Sequence, residues 1–366
     1  MGNPNFFMFN YFQFFMFNFL FFLYKLFLIL IIQSFSSSSL LHRMSLDVFD
    51  ALCHKMETDY GLEDTEEVQV DQSVGMFLYF LSSGESNRRL QERFQHSGET
   101  IHRHFYTVLD AMVRMANDYI VPGDHTHIHD KVQGTPFEHA IGAIDGTHVP
   151  CVVEASQKIP FIGRKGTPTQ NVLAICNWDM LFTYVVAGWE GSMHDARILN
   201  TARTTPHLRF PEPPMGKYYL VDSGYQTTTG FLGPYRGSTY HVPDFYRQMH
   251  FNSPNEIFNY NHSKLRCTIE RAFGAWKNKW QVLKTMPTFP FDTQVQIVMA
   301  TMGLHNFIRI ENSEDWDCAA ALAGQLYEPA DVEEPIPEDF GWAAGSMQDM
   351  RDRMRDELVV QYYQGR

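Results

Sequence analysis

The sequence predicts a mixed α/β body preceded by a small all-helical domain. Apolar residues recur at helical spacing from about 45 to 118, short strand-like apolar runs begin at 139, and helical patterns separate the later runs. Strands mixed with helices imply a sheet layered with helices around one core.

The helical part reads element by element. Leu46, Phe49, Leu52, Cys53 and Met56 share one helix face, with Ser45 as N-cap and Asp47 in the first turn. A second helix fits 71–82, with Val74, Phe77, Leu78 and Leu81 inward, and a third, short one fits 86–94. Ser97 then caps a long helix carrying Ile101, Phe105, Val108, Leu109 and Met112. Residues 44–120 therefore form a helical domain. Its short helices are compatible with a helix-turn-helix, and Arg88, Arg89, Arg93 and Arg103 add positive charge. A plain scaffold with a solvated basic face fits equally well.

Residues 121–138 read as a linker broken by Pro122, Gly123, Gly134 and Pro136. His125, His127 and His129 alternate there, but no Cys or carboxylate is arranged with them, so a loop is expected and not a zinc site. Strands follow at His139–Asp145, Asn171–Asn177, Phe182–Ala187 and Tyr218–Asp222, the second and third joined by a turn near Trp178–Asp179. Helices are expected after Ser192 and over 262–283.

Composition narrows the chemistry. The chain has 366 residues and a net charge of −13, so it repels phosphate overall. Any nucleic-acid contact must use a local basic surface or a partner protein. Residues 311–340 hold much of the excess acid and no Lys or Arg; 311–343 read as an acidic mobile connector, and 344–366 as a C-terminal helix with Met347, Met350, Met354 and Leu358 on one face. That helix either docks on the body or pairs with another copy. Five scattered cysteines with no C-x-x-C pair fit neither a disulfide framework nor a zinc site and indicate a reducing compartment. The segment 1–43 is apart: residues 6–32 are almost wholly Phe, Leu, Ile, Met and Tyr, long enough to span a bilayer, without a basic residue before Lys25. It reads as a membrane anchor, as a cleaved signal, or as non-coding sequence included in the gene.

Three carboxylates stand out. Asp145 and Asp222 each end a short apolar run and precede a small residue, and strand ends in α/β sheets open into a common crevice. Paired carboxylates there suit a hard cation such as Mg²⁺ or Mn²⁺. Each Asp taken singly also suits an ordinary turn. Glu270 lies at the margin of an amphipathic helix whose Ile269, Phe273, Trp276, Trp280 and Leu283 form the buried stripe. Arg266 and Lys277 share its stripe, and periodicity alone favours a surface ion pair of Glu270 with Arg266.

The wording around these residues adds more. The segments AIGAIDGTHVPC, GRKGTPTQNVLAICNWDMLFTYVVAGWEGSMHDARIL, GKYYLVDSGYQTTTGFLGPYRGSTYHVPDFY, EIFNYNHSKLRCTIERAFGAWKNKWQVLK and QIVMATMGLHNFIR occur in this order. They resemble the PIF/Harbinger superfamily of DDE transposases, plant members in particular, over residues 43 to 310. The resemblance implies an RNase H-like catalytic domain over 139–310, with Asp145, Asp222 and Glu270 as catalytic residues holding two divalent ions, Mg²⁺ or Mn²⁺. One ion would activate a water or a 3′-hydroxyl and the other would stabilise the leaving oxygen. Asp195 matches a further acidic position, as an additional ligand or a supporting group; Ser192 capping a helix with Asp195 as its third residue is the local alternative. Arg164 and Lys165 match a basic pair that meets DNA, and Arg266 and Lys277 are further candidate nucleic-acid contacts. Asn261 stands where the family commonly has Arg, which removes a cation beside the site.

By the same resemblance the partners are DNA and a Myb-like DNA-binding protein that brings the nuclease to its target and into the nucleus. A homo-oligomer is compatible, and a membrane is a partner only if 6–32 is an anchor. The rival reading is a domesticated, catalytically silent transposase serving as an interaction module in chromatin.

Overall fold

The computed structural model describes residues 44–163, 166–239, 250–311 and 345–364. The apolar segment 1–43, nearly all of the acidic connector, and the pair Arg164 and Lys165 lie outside the described residues. Among those described, no helix is long and apolar enough to cross a membrane. The chain divides into two compact units, Met1–Val108 and Leu109–Arg366.

In the first unit, α1 (Leu46–Thr58), α2 (Val70–Ser83), α3 (Asn87–Phe94) and the start of α4 (Gly98–Tyr119) follow the apolar periodicity. The Ser97 hydroxyl accepts from the Thr100 N–H at 3.1 Å, capping α4. Ser45 holds the N-cap position of α1 in extended backbone, though its side chain makes no cap bond. Leu52, Met56, Val74 and Leu81 are buried, and the Phe105 ring packs on Phe77 and Phe80. All but Phe80 are side chains that helical spacing placed inward.

The second unit is a mixed α/β structure. Its five strands are β1 (Ala140–Pro150), β2 (Thr169–Cys176), β3 (Phe182–Glu190), β4 (Tyr218–Leu220) and β5 (Phe231–Leu232), in the order β3-β2-β1-β4-β5. β1, β2 and β3 form an antiparallel meander, whereas β4 runs parallel to β1 and β5 parallel to β4. The β2–β3 turn is stabilised by Asn177, whose Oδ1 accepts from the N–H groups of Asp179 and Leu181, both at 3.0 Å.

Several boundaries differ from expectation; the strand expected over Tyr218–Asp222, for one, ends at Leu220. β1 does not end at Asp145-Gly146, because every residue from Ala143 to Pro150 pairs with β2, so Asp145 sits mid-strand. The helix expected from 262 begins at Pro254 as α7 (Pro254–Lys279), with Ser253 as a capping residue that accepts from the Glu256 N–H. Residues Gln281–Leu283 beyond it form a separate 3-10 turn.

Side-chain alternation gives the sheet two distinct faces. On one, Ile144, Leu173, Ile175, Tyr184, Val186, Tyr219 and Val221 form a core with Ile198, Leu199 and Ala202 of α6 (Asp195–Thr204), which follows the one-turn α5 (Lys158–Phe161) in the chain. On the other, Phe182 meets Phe273 and Trp276 of α7 and His305 of α8 (Phe291–Glu311). The C-terminal helix, α9 (Gly345–Gln364), docks on this same unit, burying Met347, Met354 and Leu358. Of the two roles the sequence left open for it, docking is the one observed.

Candidate active site

The register of β1 and β4 sets the centre of the site. Ala143 pairs with Leu220 in parallel, and Asp145 and Asp222 each lie two residues further along. By alternation both project on the α7 face, next to one another. Asp145 is only 8% exposed and still belongs to the ladder, with Ala174 opposite it on β2. Asp222 is half-buried just beyond the end of β4, where its Oδ1 accepts from the Gly224 N–H at 2.8 Å.

Glu270 reaches this pair from α7 through Arg266. The Arg266 guanidinium donates to Asp145 Oδ2 at 2.8 Å from one nitrogen and bonds Glu270 Oε1 with another. The i,i+4 ion pair anticipated on periodicity is therefore present, but it is not at the surface: the side chains of Arg266 and Glu270 are 6% and 15% exposed. Burial pushes the Asp145 carboxyl above the ordinary carboxylate range; Arg266 opposes the shift, and the charges of Asp222 and Glu270 add to it. Arg266 is thus an internal cation of an acidic centre and not an exposed DNA contact in this structure.

Lys277 lies on the same stripe of α7. Its ammonium donates to the Thr147 hydroxyl at 2.5 Å and to the His148 carbonyl at 2.7 Å, with Thr147 on the Asp145 face of β1. A second positive charge is thereby held near the carboxylates. Asn261 turns back on its own helix, its amide donating to the Ile257 carbonyl at 2.8 Å. The next residue, His262, is fully buried, and its Nε2 donates to the Leu232 carbonyl at 2.9 Å, tying α7 to β5.

Asp195 is placed differently from the other three acids. It opens α6, with His194 at the N-cap, because the Ser192 N–H is bonded to Pro160 and the Met193 N–H to Glu190, which keeps 191–194 in a turn. The local alternative of Ser192 as the cap is not what the helix uses, since its N-cap position is His194. Asn171 donates to Asp195 Oδ1 at 2.6 Å and to the Met193 carbonyl at 3.0 Å. A Cβ on Gly146 would lie 2.0 to 2.2 Å from the Asp195 carboxylate atoms, so Asp195 packs directly on that glycine. Gly146 and Asn171 belong to the α6 face, and Asp195 thus backs β1 from the side opposite the Asp145 side chain. Nothing in the local sequence signals the Asn171 partnership, which depends on strand pairing.

The donor set suits a divalent cation in kind, since all three convergent acids offer hard carboxylate oxygens. Their placement is a separate matter. Among the described residues no three His, Cys, Asp or Glu side chains stand close enough together to hold an ion as they are, and the Arg266 guanidinium stands between Asp145 and Glu270.

The sequence comparisons with known proteins point the same way as this acidic cluster on a mixed sheet. Residues 144–306 match the family model described as DDE superfamily endonuclease, and the chain carries such a domain. It is homologous, more particularly, to Harbinger-derived proteins. It is 24% identical to "Protein ALP1-like" of Arabidopsis thaliana over 293 residues, 73% of this chain and 69% of that one. It is also 24% identical to "Putative nuclease HARBI1" of Rattus norvegicus over 307 residues and of Homo sapiens over 309, in each case 81% of this chain and 80% of the relative. Residues 36–114 match a domain family of unknown function, DUF8040. No solved structure matches the chain.

Proposed function

We propose that the protein is a divalent-metal-dependent DNA endonuclease of the transposase type, built on an RNase H-like catalytic domain and competent in strand transfer, or a host nuclease derived from one. One observation carries the reading: Asp145 on β1 and Asp222 just past the end of β4 each lie two residues beyond the paired Ala143 and Leu220, and Glu270 is linked to Asp145 through Arg266. The DDE endonuclease match, whose family is generally metal-dependent, supports it.

In this reading Asp145, Asp222 and Glu270 hold two Mg²⁺ or Mn²⁺ ions once Arg266 turns aside. The chemistry such ions supply when bound is activation of a water or 3′-hydroxyl and stabilisation of the leaving oxygen. The chain's own residues bind and orient. Lys277, fixed by Thr147 and His148, meets the DNA backbone, joined by Arg164 and Lys165 and by Arg266 when it is released. Asp195 supports β1 from behind Gly146, on the face away from the Asp145 side chain. The net charge of −13 favours DNA delivery by a basic, Myb-like partner, which also carries the protein into the nucleus.

The test is a plasmid-nicking assay with Mg²⁺ and then Mn²⁺, the DNA-binding partner supplied, comparing wild type with Glu270→Gln. Nicking by wild type alone is the expected result. Equal silence of the two proteins removes the enzyme reading and leaves the interaction-module alternative.

A further inference from the structure

We propose that the C-terminal helix α9 is a working part of the catalytic centre, with Arg351 as a positioning residue that fixes the loop carrying Asp222. The helix lies beyond residue 306, where the endonuclease match ends, so nothing in the family comparison gives it a role.

Asp222 begins a closed loop. Its neck is fastened by the Val221 N–H donating to the Leu232 carbonyl at 3.1 Å and the Gly233 N–H donating to the Thr227 hydroxyl at 3.1 Å. Arg351 grips that neck from outside. One guanidinium nitrogen donates to Thr227 Oγ1 at 3.3 Å, to the Pro234 carbonyl at 3.1 Å and, at the limit of a hydrogen bond, to the Gly233 carbonyl at 3.5 Å. The guanidinium carbon stands 4.1 Å from the centre of the Tyr235 ring, a cation–π stack. The Tyr235 hydroxyl in turn bonds Asp352. On the far side the Asn259 amide of α7 pairs with the Tyr235 main chain, accepting from its N–H at 2.8 Å and donating to its carbonyl at 2.9 Å. The loop that bears Asp222 is therefore held between α7, which carries Glu270, and α9.

The reason for such a clamp is chemical. Asp145 is fixed by strand pairing and Glu270 by a long helix, whereas Asp222 lies past the end of a three-residue strand. A ligand on a loop needs outside support to stay in register with two that are fixed. Arg351 acts through that loop and does not itself reach the carboxylates.

The proposal rests on the nuclease reading for its consequence, and its geometry is testable without it. The experiment uses the full chain as wild type, Arg351→Ala, Arg351→Lys and, as a control, Arg353→Ala on the exposed side of the same helix. Hydrogen–deuterium exchange is followed over 223–233, and Mn²⁺ affinity is measured by titration calorimetry. Arg351→Ala is expected to speed exchange in 223–233 while leaving α7 and β1 protected, and to weaken Mn²⁺ binding by about tenfold or more. Arg351→Lys restores part of both effects, and Arg353→Ala changes neither. Unchanged exchange in 223–233 in a folded Arg351→Ala protein overturns the clamp. If instead wild type binds no Mn²⁺ and nicks no DNA, the nuclease reading falls, and the exchange result still decides the clamp by itself.

Discussion

Asp145 and Asp222 stand level on two parallel neighbours, each two residues beyond the paired Ala143 and Leu220. Their equivalence predicts equal weight in catalysis. Asp145→Asn and Asp222→Asn should each reduce DNA nicking by about a hundredfold or more, beyond the effect of a supporting residue. Initial rates of supercoiled-plasmid relaxation measure this; full activity in either variant would remove that residue from the ligand set.

Arg266 is the cation of the site as it stands. Arg266→Met leaves Asp145 and Glu270 buried without their counter-charge, which typically costs about 3–5 kcal/mol. Urea unfolding in EDTA should show that loss, and added Mn²⁺ should recover part of it, because an ion that binds only the folded state stabilises it. A variant as stable as wild type in EDTA would mean that Arg266 does not neutralise the cluster.

The contact between Gly146 and Asp195 invites a double-mutant cycle. Gly146→Ala forces the Asp195 carboxylate off Asn171 and should cost about 1–3 kcal/mol. Against an Asp195→Ala background the same change should be nearly neutral, giving a coupling of at least about 1 kcal/mol. Additive effects would show that the two residues are not packed together.

Lys277 tests the DNA side of the proposal. Lys277→Gln should weaken binding to all sequences alike, and the slope of log affinity against log salt should fall by about 0.9, one phosphate contact on duplex DNA. An unchanged slope would remove Lys277 from the interface.

Acid should weaken the second unit through two histidines. His262 and His305 are fully buried, and desolvation pushes both down to about 3, against an ordinary value of 6.5. The folded state holds them neutral, so their contribution is complete above pH 6.5 and is lost as the pH falls below it. At pH 5 the loss should be about 2 kcal/mol for each. Urea midpoints at pH 7.5 and pH 5 measure it, and His305→Gln should flatten the dependence; an equally steep profile in that variant would exclude His305 as the source.

Much of the fold was legible because its cues are local. Ser97 caps α4, and Leu52, Met56, Val74 and Leu81 are buried as helical spacing requires. Asn177 makes its turn from its own side chain. Errors arose where a distant partner decides. Asp145-Gly146 has turn composition, yet β2 pairs straight through it, and the glycine is there for Asp195 to pack against. Ser192 looks like a cap, yet the chain turns over 191–194 and the N-cap position falls on His194. The adjacency of the carboxylates was readable from the family wording; the strand-end argument held for Asp222 alone, since Asp145 sits mid-strand. The inward turn of Arg266 and the approach of Asp195 from the other face depend on which strands are neighbours, and no local pattern encodes that.

The continuation of β1 to Pro150 makes the three acids mechanically unequal. Asp145 is an anchored reference point, bonded into the sheet on both sides of its own residue. With the Asp222 loop held between α7 and α9, any rearrangement needed to admit an ion would come from side chains of α7, by a swing of Glu270. Capture of the cation would then be a closing movement toward a stationary wall, with Arg266 as the piece that leaves.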